Sequence, residues 1–419
     1  MFIFLAIGVG LAAGMFAPAV AALDHLRGAE GARVTRIGPR LGVLAGIWVA
    51  AGACASGHTA RRAMVPVPPA SPADVDVTLY LIGDAGDPAP GHEPVLAALE
   101  AQAAARGATS VIVFLGDNVY PRGLPDSGDR HRPEAERRLD AQVEVLERSG
   151  ARGIFVPGNH DWDEGGEGGW DGIRREGVFL AGRRGARVEL LPTGGCPGPA
   201  IVDVGRTLRL ALLDTQWWLR GKPKPEGPGS SCPTHSEGEV VDSLRGVLRD
   251  AGRRRVAVLA HHPLASGGPH GGHFDWQAHV FPLRALAPWL WVPLPVIGSI
   301  YPVARQHGIS NQDMSGSRYR RLRAGLASAF AEHPPLVYGS GHDHALQVIT
   351  GNTARYLLVS GSGYLGHFNY TTWLDSTRFA QSASGFMRLD LLRDGRTRLG
   401  VTVVDERGQA REAFSMWLD

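Results

Sequence analysis

The stretch VIVFLGDNVY, residues 111–120, is an apolar run that ends on a Gly-Asp pair. Four other segments share this design, since each places a residue that can bind a metal directly after an apolar run: LYLIGD (79–84), IFVPGNH (154–160), VAVLAHH (256–262) and LVYGSGHDH (336–344). Apolar runs of this length are typical of buried strands. Ligands of open α/β sheets gather beyond the carboxyl ends of the strands. The sequence therefore predicts carboxylate, amide and imidazole groups at one sheet edge, a ligand set for two metal ions and hence for phosphoester chemistry.

Alternating strands and helices predict an α/β fold. The predicted strands are Val75–Gly83, Thr109–Gly116, Arg152–Gly158, Leu208–Asp214 and Arg255–Ala260. The predicted helices are Glu93–Arg106, Pro133–Ser149 and Ser236–Ala251. Three further strand-like segments follow, at 355–363, 385–392 and 398–406, and we expect them to complete a second sheet.

Composition narrows the function classes only slightly. A chain of 419 residues can form one large domain or two to three smaller ones. The formal net charge of +2 gives no nucleic-acid footprint, so we expect no nucleic-acid partner. Lys222 and Lys224 are the only lysines, a bias that we attribute to genome composition rather than to function.

Residues 1–64 form a predicted hydrophobic targeting or anchor region. The run over residues 1–23 is long enough to span a bilayer, and it is interpreted either as a membrane helix or as the product of an upstream start codon. A second run, Leu41–Ala53, has a basic flank and an apolar core, as signal peptides do. Each interpretation predicts a globular part that is exported or held at a membrane, on the periplasmic or cell-surface side.

The second apolar run ends Ala51-Gly52-Ala53-Cys54, which resembles the site at which bacterial lipoproteins are cleaved ahead of a lipid-modified cysteine. A transmembrane helix or a plain secretory signal remains the alternative. Residues 65–75, rich in Pro, Ala and Ser, are predicted to be a linker, and 76–419 the catalytic domain. If Cys54 carries lipid, Cys196 and Cys232 are left to form a disulfide or to remain as two thiols.

Five motifs carry a family resemblance: GDAG (83–86), GDNVY (116–120), GNHD (158–161), VLAH (258–261) and GHDH (341–344). They occur in the order typical of calcineurin-like metallophosphoesterases. Within that family the chain looks most like the purple acid phosphatases, over about residues 75–365. The resemblance implies a four-layer αββα sandwich.

The resemblance also implies two groups of metal ligands that share Asp117. The ligands of the first metal are Asp84, Asp117, Tyr120 and His344. The ligands of the second metal are Asp117, Asn159, His261 and His342. Many relatives have a histidine where Gly86 stands, and the purple acid phosphatases have a tyrosine at the position of Tyr120, so Fe paired with Fe, Zn or Mn is implied. Asp87 is interpreted as a turn residue rather than as a substitute ligand.

The resemblance implies proton-transfer roles for two regions. His160 is expected to contact phosphate or to protonate the leaving group, with Asp161 holding its other ring nitrogen. His270 and His273 are further candidates for a general acid, although a flexible exposed loop is the alternative there. Four other residues are given lesser roles: His262 as a supporting neighbour, Asp214 as a structural residue, and Tyr364 and His367 as substrate contacts.

An apolar insertion at about 275–325 interrupts the family pattern. It contains Trp289, Trp291, Ile297, Ile300 and Tyr301 among many prolines. Such a segment is expected either to pack as a lid or dimer contact or to rest on a membrane interface. Four arginines, Arg318, Arg320, Arg321 and Arg323, are interpreted as a solvated helix face or as a site for anionic head groups or phosphate.

The expected function is hydrolysis of phosphomonoesters by a hydroxide that bridges two metal ions. Two alternatives stay open. One is a phosphodiesterase acting on lipid head groups or nucleotides, and the other is a surface lipoprotein that binds a partner without catalysis, for which a broken ligand set is the expected sign.

Overall fold

Two sheets of seven strands each lie at the centre of the described fold. The first sheet has the order β14-β13-β12-β1-β2-β3-β4 and comprises β1 (Val75–Ile82), β2 (Ser110–Phe114), β3 (Arg152–Phe155), β4 (Arg187–Leu190), β12 (Ser384–Leu392), β13 (Thr397–Val404) and β14 (Ala410–Leu418). The second has the order β11-β9-β10-β8-β7-β6-β5 and comprises β5 (Ala200–Val204), β6 (Leu208–Leu212), β7 (Arg255–Leu259), β8 (Val337–Ser340), β9 (Leu346–Thr350), β10 (Tyr356–Ser360) and β11 (Thr377–Gln381).

The computed structural model describes residues 66–183, 185, 187–285 and 289–418. Residues Val67–Asp419 form one compact unit. The predicted anchor region 1–64, including the proposed lipid site Cys54, lies outside the described residues. Among the helices that the structure describes, none combines the length and the apolar character needed to cross a bilayer.

Helices cover the outer face of each sheet. Those on the first sheet are α1 (Pro94–Ala104), α2 (Arg132–Ser149) and α3 (Gly169–Ala181). Those on the second are α4 (Gln216–Leu219), α5 (Glu237–Arg249) and α8 (Ser317–Phe330). Two short helices, α6 (Trp276–Val280) and α7 (Ile300–Gln306), lie within the insertion.

Alternation along β1 explains why helices are needed on the outer face. Leu79 and Leu81 belong to the core between the two sheets, while Tyr80 and Ile82 belong to the core shared with the helices. Successive strand residues point to opposite faces, so a strand that is apolar throughout must be covered on both. The outer helices provide this cover, and the expected four-layer αββα sandwich is confirmed.

The strand register brings the predicted ligand loops to one edge. Ile82 pairs with Phe114, and Phe114 with Phe155, so β1, β2 and β3 end side by side. In the second sheet β6, β7 and β8 are likewise parallel neighbours. Glycines let the two edges meet, because a Cβ on Gly83 would lie only 2.9 Å from the Cα of Gly341.

The C-terminal strands depart from the sequence-based expectation. We expected all three strand-like segments after residue 350 to complete the second sheet, and this is right for β10 but wrong for β12 and β13. β12 pairs antiparallel with β1, from Val75–Leu392 to Leu81–Met387, so these strands extend the first sheet. The physical reason is that β1 would otherwise present an unpaired edge, and hydrophobic pattern alone does not specify which edge a strand covers.

Cys196 and Cys232 form a disulfide with a Cα–Cα distance of 5.5 Å. The bond joins the segment before β5 to the loop that follows α4, across a sequence separation of 36 residues. The pairing considered from the sequence is therefore present in the structure.

Replacing both cysteines by serine is expected to lower the free energy of unfolding by about 4 kcal/mol, because the unfolded chain regains the entropy of an open loop of this length. Urea unfolding of the variant and of the unreduced protein measures the difference. Equal midpoints for the two proteins would contradict this expectation, and reduced wild-type protein, which should match the variant, is the control.

Candidate metal centre

Three of the predicted ligands have a strained backbone at the ends of their strands. Asp84, Asp117 and His342 have φ values of 57°, 55° and 69°, and they are three of the six described non-glycine residues with positive φ. Such conformations are costly for residues with a Cβ and concentrate at functional sites. Backbone hydrogen bonds hold them in place, including Asp84 N–H to Gly116 O at 2.9 Å and His342 N–H to Asp84 Oδ2 at 2.8 Å.

The four ligands predicted for the first metal meet around the Tyr120 hydroxyl group. Its oxygen lies 3.2 Å from Asp84 Oδ1, 3.3 Å from Asp117 Oδ2 and 3.5 Å from His344 Nε2. His344 Nε2 in turn lies 3.4 Å from Asp84 Oδ1. Residues separated by up to 260 positions thus present their donor atoms to one point.

The ligands predicted for the second metal meet around the Asn159 side chain. Asn159 Oδ1 lies 3.0 Å from His261 Nε2 and 3.0 Å from His342 Nδ1. His261 Nε2 is also 3.4 Å from Asp117 Oδ2. Asp117 Oδ2 therefore faces both groups of donors, while Asp117 Oδ1 accepts the backbone N–H of His160 at 2.9 Å.

The chemistry of these donors fits metal ions. Asp84 and Asp117 are almost fully buried, and in the described part of the chain their ion pairs are with histidines, not with arginine or lysine. Donor atoms of Asp84, Asp117 and His261 all lie within 4.8 Å of one another. Buried carboxylates need a positive partner, and mixed carboxylate, imidazole and amide donors suit Fe, Zn and Mn.

Burial and the charges within the site shift the pKa values of Asp117, His261 and Tyr120. Burial opposes ionisation of Asp117, yet His261 and His160 outweigh it and hold the pKa of that carboxyl below its ordinary value. Burial likewise disfavours a charged His261, but Asp117 raises the pKa of His261 to about 9. Burial, followed by the Asp84 and Asp117 charges, raises the pKa of Tyr120 well above its ordinary value. A phenolate at Tyr120 therefore requires an adjacent cation.

Gly86 and Asp87 are placed as the sequence suggested. A Cβ on Gly86 would lie 2.5 Å from the backbone oxygen of Asp117, so no side chain fits there. Asp87 is half exposed and pairs with Arg138 at 2.7 Å. It makes no hydrogen bond or ion pair with a predicted ligand among the described residues, in agreement with a turn role.

His160 lies at the rim of the donor groups. Its Nδ1 is 2.7 Å from the backbone oxygen of Pro121 and 3.4 Å from Glu164 Oε1. Because a carbonyl oxygen only accepts, Nδ1 carries the proton and Nε2 is the nitrogen nearer the donors, 3.9 Å from Asp117 Oδ2.

Asp161 does not hold the His160 ring as expected. Its carboxylate accepts backbone N–H groups from Gly158, Asn118 and Val119 at 2.8, 2.8 and 3.0 Å. Burial raises the pKa of Asp161 to about 7, and Asp117 adds to the rise. The reason for the difference is that the turn after β2 leaves its N–H groups without strand partners, and Asp161 satisfies them. Asp161 therefore positions the loop that carries Asp117.

His270 lies beside the second group of donors. The His270 ring lies 3.9 Å from the His342 ring, centroid to centroid. His270 Nδ1 is 3.1 Å from both the Gln312 backbone oxygen and Arg305 Nη2. The His273 ring has no hydrogen-bond or ring partner among residues that the structure describes.

The insertion reaches the centre through Gln312, which the sequence did not suggest. Its backbone oxygen is 3.2 Å from His342 Nε2, and its side-chain oxygen is 2.8 Å from His262 Nε2. Thr215 Oγ1 lies 2.8 Å from the other His262 nitrogen, so both nitrogens of the His262 ring have hydrogen-bond partners. Gln312 follows no strand and belongs to no motif, and therefore no sequence signal identifies it.

Asp214, His367 and Tyr364 were given lesser roles on the basis of the sequence. Asp214 accepts hydrogen bonds from Trp162 Nε1 at 2.8 Å and from the Trp217 N–H at 3.0 Å, a structural role as expected. His367, expected near the site as a substrate contact, has its Nε2 3.3 Å from Tyr120 Oη, one of the predicted ligand atoms. Its neighbour Tyr364 bonds to His367 Nδ1 at 2.8 Å.

Solved structures resemble this chain in fold. GAP50, described as the anchor in the inner membrane complex of Plasmodium, is 16% identical, with a TM-score of 0.53 over 82% of this chain and 89% of its own. The purple acid phosphatase PPD1 from yellow lupin (Lupinus luteus) seeds is 13% identical, with a TM-score of 0.49 over 83% of this chain and 55% of its own.

No curated protein matches the chain by sequence. The family model of the calcineurin-like phosphoesterases matches residues 77–288, just over half of the chain. This range contains four of the five motifs and the loops that carry Asp84, Asp117, Asn159 and His261. The chain belongs to the calcineurin-like phosphoesterase family, and this membership implies a metal-dependent hydrolase.

Proposed function

We propose that this protein hydrolyses phosphomonoesters at a centre of two metal ions bound by Asp84, Asp117, Tyr120, Asn159, His261, His342 and His344. One observation carries the proposal: the donor atoms of these seven side chains form two groups in which neighbouring atoms lie 3.0–3.5 Å apart, and Asp117 Oδ2 belongs to both. The complete donor set also argues against a binding protein without catalysis.

The role of each residue follows from the type of donor atom that it provides. When bound, a pair of metal ions polarises the phosphate and activates water for in-line attack. Asp117 would contribute a negative charge that offsets the repulsion between the two ions. Asn159 is a neutral donor and leaves the positive charge of the second ion undiminished. His160 and His270, on two sides of the donors, are the candidates to protonate the departing alkoxide.

The test compares a chromogenic phosphomonoester with its diester, using purified protein of measured metal content. We expect about two metal ions per chain and a clear preference for the monoester. A protein that binds metal and prefers the diester would replace this proposal with the phosphodiesterase alternative. A protein that binds no metal and cleaves neither substrate would reject both.

Tyr120→Phe provides a test of metal identity. If the first metal is Fe(III), the wild-type protein absorbs visible light through the phenolate–iron pair, and the variant is expected to lose that absorption entirely. Visible spectra at equal iron content make the comparison, and Tyr370→Phe, an exposed tyrosine, is the control. A colourless, active wild-type protein containing Mn or Zn would contradict the iron assignment.

A second candidate function is cleavage of a lipid head group at a membrane surface. Its support is an apolar surface on the insertion, here called the insertion patch, with exposed side chains at Trp276, Trp289, Trp291, Val296, Ile297 and Ile300. Exposed tryptophans are typical of membrane interfaces. The same insertion contacts His342 and His262 through Gln312. We propose that the protein is exported, that it is associated with a membrane, and that it rests on lipid through this patch.

Replacing Trp289 and Trp291 by serine is expected to weaken binding to phosphatidylglycerol vesicles at least about 10-fold, because two interfacial aromatic rings are lost. Vesicle sedimentation over a lipid titration measures it. The control is Val178→Ser, which removes a side chain 75% exposed on α3, outside the patch. Equal vesicle binding by all three proteins would remove the support for a membrane substrate.

A further inference from the structure

His367 faces the same oxygen atom as the predicted ligands of the first metal. Tyr120 Oη has four neighbours among the described donors: Asp84 Oδ1, Asp117 Oδ2, His344 Nε2 and His367 Nε2, at 3.2, 3.3, 3.5 and 3.3 Å. The His367 contact is as short as those of the residues identified by motif. None of the five motifs includes position 367.

These distances have the spacing of a coordination polyhedron. With metal–donor bonds of about 2.1 Å, adjacent donors of an octahedron are about 3.0 Å apart and those of a tetrahedron about 3.4 Å apart. Each corner of an octahedron has four adjacent corners, and Tyr120 Oη has four adjacent donor atoms. An octahedral ion bound by Tyr120 would therefore have His367 Nε2 within reach.

The His367 ring packs against two other rings. It stacks on the Tyr364 ring at 4.3 Å with an interplanar angle of 15°, and it lies 3.8 Å from the His344 ring. The turn that carries it is anchored by two hydrogen bonds, Leu365 N–H to Glu93 Oε1 at 2.8 Å and Gly366 N–H to Ser384 Oγ at 2.9 Å. This packing restricts the ring to the orientation that presents Nε2 to Tyr120.

The second nitrogen of the ring has an oxygen partner, as the second nitrogen of a metal-binding histidine usually does. Tyr364 Oη lies 2.8 Å from His367 Nδ1. A histidine that binds a metal through one nitrogen usually donates its other N–H to an oxygen atom, which fixes the tautomer. In the tautomer with the proton on Nδ1, Nε2 has a free lone pair on the side of the ring that faces Tyr120 Oη.

We propose that His367 is a fifth protein ligand of the first metal, with Tyr364 as its positioning residue. The proposal rests on the metal centre proposed above and adds a ligand to it. Asp84, Asp117, Tyr120, His344 and His367 would then occupy five of the six positions of an octahedral ion, which leaves one for water or a phosphate oxygen.

The experiment uses the full chain and four proteins: wild type, His367→Ala, Tyr364→Phe and His333→Ala. His333 is an exposed histidine in the turn that follows α8 and serves as the matched control. Three quantities are measured on each protein: bound metal per chain, affinity of the first metal by competition with a chelator, and the visible or electron paramagnetic resonance spectrum. Circular dichroism melting checks that each variant is folded.

We expect His367→Ala to contain fewer metal ions than wild type and to show a shifted spectrum for the metal that remains. Tyr364→Phe keeps the stacked ring but loses the bond to Nδ1, so its metal affinity is expected to fall about 10–100-fold. This second variant keeps the test decisive if His367→Ala fails to fold. His333→Ala should match wild type in all three quantities.

Two results would overturn the inference, and they differ in what else they reject. If wild type binds two metals and cleaves a phosphomonoester while both variants match it in metal content, affinity and spectrum, His367 is not a ligand and the proposed function stands. If wild type binds no metal and is inactive, the proposed function fails together with the inference.

Discussion

Asp117→Asn is expected to reduce phosphomonoesterase kcat/KM by at least about 10³-fold. Asp117 Oδ2 is the donor atom that lies within 3.4 Å of both the Tyr120 oxygen and the His261 ring. The amide keeps the size of the side chain but removes the negative charge that would offset the repulsion between two metal ions. Both metals should therefore bind more weakly.

The substitution should leave the surrounding loop in place. The acceptor for the His160 backbone N–H is Asp117 Oδ1, and an asparagine oxygen can accept the same bond. Asp161 continues to hold the N–H groups of Asn118 and Val119. A loss of activity with an unchanged melting temperature of the metal-free protein would therefore report on metal binding rather than on folding.

Metal analysis and steady-state kinetics on the same samples make the measurement. The matched control is Asp87→Asn, because Asp87 lies three residues beyond Asp84 but pairs with Arg138 at the surface. That variant should keep both metals and its turnover. An Asp117→Asn protein with two bound metals and full turnover would reject the shared-ligand assignment and, with it, the proposed centre.

The contrast between Asp117 and Gln312 shows what the sequence could predict about this site. Asp117 follows a buried strand, and parallel strands of one sheet end at a common edge, so a local pattern predicts its place in space. The same argument predicts the positions of Asp84, Asn159, His261 and His342. These residues converge because strand register, which hydrophobic pattern helps to fix, aligns their loops.

Gln312 and His367 reach the site by tertiary packing, which has no local signature. Gln312 lies in an irregular segment after α7, and its position depends on how the insertion folds back. His367 belongs to a turn that Glu93 and Ser384 anchor from distant parts of the chain. The misassignment of β12 and β13 to the second sheet has a similar cause, because an apolar strand pattern does not distinguish one buried sheet edge from another.

His160→Gln is expected to lower kcat for an alkyl phosphomonoester by about 10²–10⁴-fold, the contribution typical of a general acid. The same substitution should cost much less with a p-nitrophenyl ester, since that leaving group departs without a proton. The difference between the two substrates is the informative quantity. Bound metal should stay at the wild-type level, because His160 lies at the rim of the donor groups and belongs to neither.

The geometry around His160 supports this role. Its Nδ1 donates to the Pro121 backbone oxygen at 2.7 Å, and Glu164 Oε1 lies 3.4 Å from the same nitrogen. Two acceptors at Nδ1 stabilise the protonated ring, whose Nε2–H then points toward the donor groups. Glutamine keeps the backbone N–H bond to Asp117 Oδ1 but cannot transfer a proton.

His270→Gln is the matched comparison, because His270 lies on the other side of the donors, 3.9 Å from the His342 ring. If His160 is the acid, only His160→Gln shows a steep dependence on the leaving group, and His270→Gln affects both substrates alike. The reverse pattern would assign the acid to His270. Equal losses on both substrates for His160→Gln would instead mean that His160 binds phosphate, because an interaction with the phosphate oxygens is the same whichever alcohol departs.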